Sequence, residues 1–486
     1  MMSKSVMVKT DLKTNRPKIA IIGGGVAGAT AAVHLGELGQ DVLLIEKGEG
    51  LVNGPPICHL HAGGNLYREI SEQQCIELLR QSLETVRLYP HTLNKRPTVI
   101  AVPNSDPGDP MDILPRLNTL RSAYQLLVNE DARNQLLGNP NDYFRTYNRT
   151  ELEALQQCTQ PEHPSTVDEW MIPVVQNINL DAIKYPLIAV QEYGWSVFRL
   201  GASAELVLER LPNCDVRTQT TVIDLEYTDA QWQVTLLSDL GVKEQVTVDY
   251  VINACGYQTG SIDDMARHYR KRLVEFKAAY VTHWPDCQQL WPEVIFHGQR
   301  GTPNGMAQLT PYADGVFQLH GMTEGITLFK DGLVSSDLRS AQPVLPTYLQ
   351  TKLTQGWSLD AQIERTDRAI SHMSQFMPTF NSAGIAGKPL FGAQQIPGDD
   401  ATLRAADVSF EEDHYARIEI VKGSSALSAV RKIAQQWQLA AADGVQDIEL
   451  THPISMKLTA QQVEDKALAM ADDRGYPQAL AKVLGE

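Results

Sequence analysis

The chain has 486 residues, more than one ordinary hydrophobic core organises, so two or more intertwined domains are expected. Hydrophobic residues make up 43% and charged residues 21%, as in globular proteins. The formal net charge of −16 excludes the basic footprint of a non-specific nucleic-acid binder, but it leaves anionic small molecules open, because a local group of arginines can still draw them.

The N-terminal "MMSKSVMVKTDLKTNRPK" is basic and lacks the apolar run of a signal peptide. It reads as a leader with the charge to touch an anionic membrane surface. No stretch has the length of a membrane span. Cys58, Cys75, Cys158, Cys214, Cys255 and Cys287 form no C-x-x-C pair, so neither a zinc ribbon nor a dithiol centre is expected. Scattered cysteines without a secretion signal suggest a reducing, cytoplasmic compartment.

Lys18 to Ile22 is a short apolar run that ends directly in glycines, as a buried parallel strand does. Gly23, Gly25 and Gly28 then form G-x-G-x-x-G. The first permits a tight turn, the second lets phosphate approach the backbone, and the third lets the following helix pack closely. Val26 and Ala27 lie between the last two glycines, and Ala29 to Leu38 continues as a helix. Its free N–H groups and positive dipole end favour an anion. Asp41 to Ile45 is the second strand, with Glu46 and Lys47 at its end, where an acid bonds a ribose hydroxyl. Strand, glycines, helix, strand and terminal acid in this order read as a dinucleotide cradle.

Further along, residues 76 to 189 read as helices broken by the turn-rich "PNSDPGDP" and "NPND". Residues 190 to 265 supply a helix, "SAELVLERL", strands around Asp229-Ala230, and the buried strand of "DYVINACGYQTG" with Ala254 and Gly256 at its end. In residues 266 to 375 two alternating runs flank Asp314-Gly315, a hairpin signal. Residues 376 to 440 read as returning to complete the first sheet. They include "IEIVKGSSALSAV", where Gly423, Ser424 and Ser425 lead into a helix at Ala426 with hydroxyls suited to cap it. Residues 441 to 486 read as a polar helical tail. The expected class is α/β: a Rossmann-like nucleotide-binding domain in three parts (1–75, 190–265, 376–440), with an inserted α+β substrate domain (76–189, 266–375) that contains an antiparallel sheet.

"IIGGGVAGATAAVHLGELGQDVLLIEKG", "GWSVFRLGASAELVLERL", "DYVINACGYQTG" and "IEIVKGSSALSAV" together resemble the D-amino-acid oxidase-like superfamily of FAD-dependent oxidoreductases. The resemblance implies FAD, with pyrophosphate contacts at Gly23, Gly25 and Gly28 and the adenosine ribose at Glu46. It also implies adenine against the backbone at Val222, and the C-terminal turn at Gly423 beside the flavin's pyrimidine ring. A second G-x-G-x-x-G after a strand is absent, so electrons should enter the flavin directly from an organic substrate.

The segment "CHLHAGGNLYREIS" stands where this family's chain passes the isoalloxazine. Its His61, Ala62, Gly63 and Gly64 resemble the His-Ala-Ala-Gly of dimethylglycine and sarcosine dehydrogenases, where the histidine is covalently bonded to FAD. Two readings are open at His61: a covalent link, or a histidine that packs against or hydrogen-bonds to non-covalently held flavin, which is the expectation. His59 shares the segment, but two histidines without a third ligand make a poor metal site, and no metal is expected.

A carboxylate on the substrate is best anchored by the planar fork of an arginine. Arg68, Arg300 and Arg404 are the candidates, with Arg300 favoured by its glycine-rich "FHGQRGTPNG" setting. Tyr312 and His320, on the hairpin, are placed to orient substrate or take its proton. The resulting expectation is an FAD-dependent oxidoreductase, an oxidase or dehydrogenase moving a hydride from a CH–OH or CH–NH group to flavin N5. The substrate would be a small carboxylate-bearing amino acid, amine or 2-hydroxy acid, and oxygen, a quinone or another carrier would take the electrons. The alternatives are a non-catalytic flavoprotein and a large-substrate enzyme, such as a tRNA-modifying one, on the same scaffold.

Overall fold

The computed structural model describes residues 17–55, 66–405, 407–439 and 447–484. The glycine-rich segment forms strand β1 (Lys18–Ile22), helix α1 (Val26–Glu37) and strand β2 (Asp41–Ile45). β1 is the centre of a six-stranded sheet, flanked by β2 on one side and β3 (Tyr250–Asn253) on the other, both parallel to it. The strand Cys214–Arg217 extends the β2 side; Tyr415–Ile418 and then Val408–Glu411 extend the β3 side.

Both faces of β1 are covered, which is why its run is continuously apolar. Ile19 and Ile21 join a core with α1, the helix Val197–Leu208 and helix α2 (Ala426–Gln436). Ala20 and Ile22 instead meet a three-stranded meander (Thr220–Thr228, Gln231–Ser238, Lys243–Val248) through Val222, Trp232 and Val234. The turn read at Asp229-Ala230 is present: both residues have positive φ, 53° and 61°, as a tight hairpin of the right twist requires.

The second body is a ten-stranded mixed sheet. Its long strand β4 (Arg272–His283) pairs near its C-terminal end with β7 (Val316–Gly321). β7 pairs with β6 (Ala307–Pro311) across the Asp314-Gly315 hairpin, and β6 with β5 (Glu293–Phe296). Beyond β5 come Thr98–Pro103, Ile183–Val190 and Phe144–Tyr147. The segment 76–189 is therefore not helical alone. Its "TVIAVP" and the run before Val190 are short apolar stretches whose periodicity cannot separate a buried strand from a helix. Similarly, β8 (Leu390–Pro397) does not return to the first sheet; it pairs with the first eight residues of β4.

The C-terminal residues bind the two bodies together. Helix α3 (Ala460–Asp473) joins the core shared by α1 and Val197–Leu208. Glu37 of α1 accepts hydrogen bonds from the Ile454 N–H (2.5 Å) and the Ser455 hydroxyl (2.6 Å). Arg474 donates to the carbonyls of Leu51 and Val52, and Lys482 pairs with Asp314 at the hairpin tip (2.6 Å). Within this seam His34 Nδ1 lies 2.9 Å from His452 Nε2, both rings fully buried. His452 Nδ1 is 2.7 Å from the Ile448 carbonyl, which can only accept. Nδ1 of His452 therefore carries the proton, and its Nε2 accepts from His34.

Candidate functional site

The glycine turn is forced by close backbone approach. Gly23 has φ +99°, its N–H donates to the Ile45 carbonyl, and a Cβ there would stand 2.7 Å from the Ala254 oxygen at the end of β3. At Gly28 a Cβ would lie 1.8 Å from the Gly23 oxygen, so only glycine lets α1 pack this close. Gly25, by contrast, has open space where a Cβ would be, and it stands at the N-terminus of α1 with no side-chain cap. The first N–H groups of α1, at Val26 and Ala27, are thus left for an anionic ligand. The Glu46 carboxylate is oriented beside this turn by the N–H groups of Gly24 (2.6 Å) and Gly48 (2.7 Å). Lys47 donates to Gln258, two residues after Gly256, whose φ is +56°.

The C-terminal turn joins this cradle. A Cβ on Gly423 would be 3.4 Å from the Val26 side chain. Residues Gly423–Ser425 form a 3₁₀ turn and α2 begins at Ala426, without a side-chain cap. The capping expected of the serine hydroxyls is not made: Ser425 donates instead to Gln81 (2.5 Å), while Thr85 donates to the Ser424 carbonyl. Tertiary bonds to the neighbouring helix have taken the hydroxyl that a local cap would use. Val222 is buried in the meander on the Ala20 and Ile22 face of the sheet. His61, Ala62, Gly63 and Gly64 lie outside the described residues. An uncapped helix start, an open glycine beside it and an acid held at the end of β2 fit a dinucleotide.

One face of the large sheet carries polar residues, and its apolar members belong to the core that contains α1. Along β4, Val274, Phe276, Ala278 and Tyr280 pack into the outer core, whereas Ala279 and Val281 belong to the core shared with α1. Alternation places Glu275 and Lys277 on that second face. β7 does the same: Phe317 and Leu319 face outward, while Gln318 and His320 lie on the side of Val316, in the α1 core. Gln308, Thr310 and Glu293 extend the row along β6 and β5.

Tyr312 and His320 are brought together through Gln318. The Tyr312 hydroxyl donates to Gln318 Oε1 (3.1 Å), and the Gln318 amide meets His320 Nδ1 (3.1 Å). In the neutral ring this puts the proton of His320 on Nε2. The three arginines are separated by their partners. Arg68 makes a two-pronged pair with Asp106 (2.6 and 3.0 Å). Burial works the other way, but Arg68 and the Gly108 N–H hold the Asp106 carboxyl below its usual range. Arg300, on the loop after β5, is tied to Glu275. Arg404 is buried and donates to the Ala401 and Leu403 carbonyls.

Glu275 and Lys277 were not singled out from sequence. The Lys277 ammonium donates to Glu275 (2.8 Å) and to Gln394 Oε1 of β8 (3.1 Å). Gln394 in turn donates to the Val421 carbonyl, two residues before Gly423. Burial pushes the Lys277 pKa down, Glu275 opposes this, and Arg300 and Arg404 push it down further. The signal was present in "LVEFKAAYV", after Arg272: Glu275 and Lys277 stand at alternate positions among apolar residues. Behind the site, Asp263 is fully buried and accepts from Arg272, Arg417 (2.6 Å) and the Tyr415 hydroxyl (2.7 Å), tying β4 to the nucleotide sheet.

Residues 18–104 match the family model described as FAD dependent oxidoreductase. No curated protein matches the chain in sequence. Among solved structures, glycine oxidase from Geobacillus kaustophilus is similar at 14% identity and a TM-score of 0.53, over 88% of this chain and 96% of that one. L-amino acid deaminase from Proteus vulgaris is similar at 13% identity and a TM-score of 0.55, over 87% and 94%. A glycerol-3-phosphate dehydrogenase from Bacillus halodurans, complexed with FAD, gives 12% identity and 0.54, over 96% and 82%. Identities this low speak for the fold. Residues 18–104 thus match the nucleotide segment of FAD-dependent oxidoreductases, and the chain as a whole shares the fold of the solved structures named above.

Proposed function

We propose that the protein oxidises a CH–OH or CH–NH group of a small, carboxylate-bearing substrate. The observation that supports this best is the buried polar face of the large sheet, linked through Lys277 and Gln394 to the Val421 carbonyl just before the C-terminal turn of the cradle. A purely structural flavin needs no such face, whereas an enzyme needs groups that orient a substrate and handle its proton.

FAD, when bound, accepts the hydride at N5. The pyrophosphate would be held at Gly23, Gly25, Val26, Ala27 and Gly28, the ribose at Glu46, and the remaining contacts would come from Lys47, Val222, Ala254, Gly256 and the turn Gly423 to Ala426. The cofactor is held without a covalent bond, so acid precipitation should release the yellow colour; colour kept in the pellet would place a bond at His61. His320, its ring set by Gln318 and Tyr312, orients the substrate heteroatom through its Nε2–H. With Arg68 occupied by Asp106, the carboxylate falls to Arg300 and Arg404. Oxygen, a quinone or another carrier removes the electrons. Among the described residues no helix is long and apolar enough to cross a membrane.

The test is anaerobic mixing of the holoprotein with 2-hydroxy acids, amino acids and secondary amines, following flavin absorbance. Bleaching by one class names the chemistry, and admitting air afterwards separates an oxidase from a dehydrogenase. If dithionite reduces the flavin but no candidate substrate does, the reading fails in favour of a non-catalytic or large-substrate flavoprotein.

A further inference from the structure

Three cations and one acid share the inner end of the polar face. Glu275 is almost fully buried and is divided between Lys277 and Arg300. Arg404, 8% exposed, hydrogen-bonds through its guanidinium to two carbonyls and to no carboxylate among the described residues. It still senses Arg300 as a neighbouring charge. Glu69 and Asp400 also act on Arg404, but both are exposed, so water and salt screen them. One buried negative charge, Glu275, therefore faces three positive ones, of which Lys277 and Arg404 are the more buried and Arg300 is about a third exposed.

Buried charge that is not balanced within the protein is costly, and it persists where a ligand supplies the balance. Two guanidinium forks and an ammonium also make a suitable donor set for several acidic oxygens at once. We propose that Lys277, Arg300 and Arg404 form an anion subsite for a dianion, so that the substrate carries two acidic charges. This deepens, and rests on, the oxidoreductase reading given above. A dicarboxylic hydroxy or amino acid and a phosphomonoester both have the required chemistry. Gln394, bonded to Lys277 on one side and to the Val421 carbonyl on the other, fixes this subsite relative to the C-terminal turn of the cradle.

The test titrates the holoprotein at constant ionic strength with malonate, inorganic phosphate and acetate, following flavin absorbance and the melting temperature. Malonate or phosphate should bind at least about tenfold more tightly than acetate, and the better of the two names the acid type. Arg404→Gln and Lys277→Met should each weaken dianion binding by about tenfold or more, with Arg404→Lys recovering part of it. Arg149→Gln, on the exposed surface, should leave it unchanged. Acetate binding as well as the dianions, or both variants binding them normally, overturns the subsite. If dianions bind as expected but no substrate bleaches the flavin, the subsite stands and the oxidoreductase reading falls. If a monocarboxylate bleaches it and dianions do not bind, the reverse holds.

Discussion

At the scale of single residues, His320 is the sharpest test. Its ring is set by Gln318, which is itself held by Tyr312, so the three form one positioned unit on the sheet. His320→Asn should lower the rate of anaerobic flavin reduction by about 10²-fold or more while leaving the bound flavin content unchanged. An unaltered rate would remove His320 from the mechanism. Asp263 belongs to another class, because it carries structure. Asp263→Asn leaves two buried arginines short of their counter-charge and should cost about 3–5 kcal/mol in denaturant unfolding. Alternation within "VFQLHG" is enough to put His320 and Gln318 on one face of a strand. That Arg68 is taken up by Asp106, while Arg300 only shares Glu275 with Lys277, was not legible, because both acids come from distant segments.

Among the elements, the glycine turn was the most legible, since each of its glycines answers a local steric demand. Gly28→Ala pushes a methyl group into the Gly23 carbonyl, so the purified variant should carry little flavin, read as visible absorbance relative to protein; a normal yield of holoprotein would contradict this. Less legible were the strands Thr98–Pro103 and Ile183–Val190. Covered on both faces, they lack the alternation that marks a half-exposed strand. β8 was misplaced for a related reason: nothing local tells a strand which of two sheets it will join, and its choice of β4 follows from eight long-range pairings.

Across the whole molecule, the seam between α1 and the C-terminal residues should respond to acid. Burial, together with His452 and Arg431, pushes the His34 pKa well below its ordinary value, and burial lowers His452 to about 4. In the unfolded chain both titrate near the ordinary value of about 6.5. Below that pH the unfolded state takes up protons that the native rings refuse, so stability falls until His452 itself is protonated. The loss from His452 amounts to about 3 kcal/mol across that window. The melting temperature of His452→Gln should therefore fall less steeply between these pH values than that of the parent; equal slopes would exclude the pair as the cause.

The six-stranded sheet draws its strands from residues 18–22, 41–45, 214–217, 250–253, 408–411 and 415–418. Read in time rather than in space, that arrangement has a cost during synthesis. The nucleotide motif leaves the ribosome early, but the strands that flank β3 and the helix that covers α1 follow only after some four-fifths of the chain has been made. A nascent chain stopped at residue 405 should hold no FAD, and the outer edge of β3 and the α1 face that α2 covers should stay open to chaperones until translation is nearly finished.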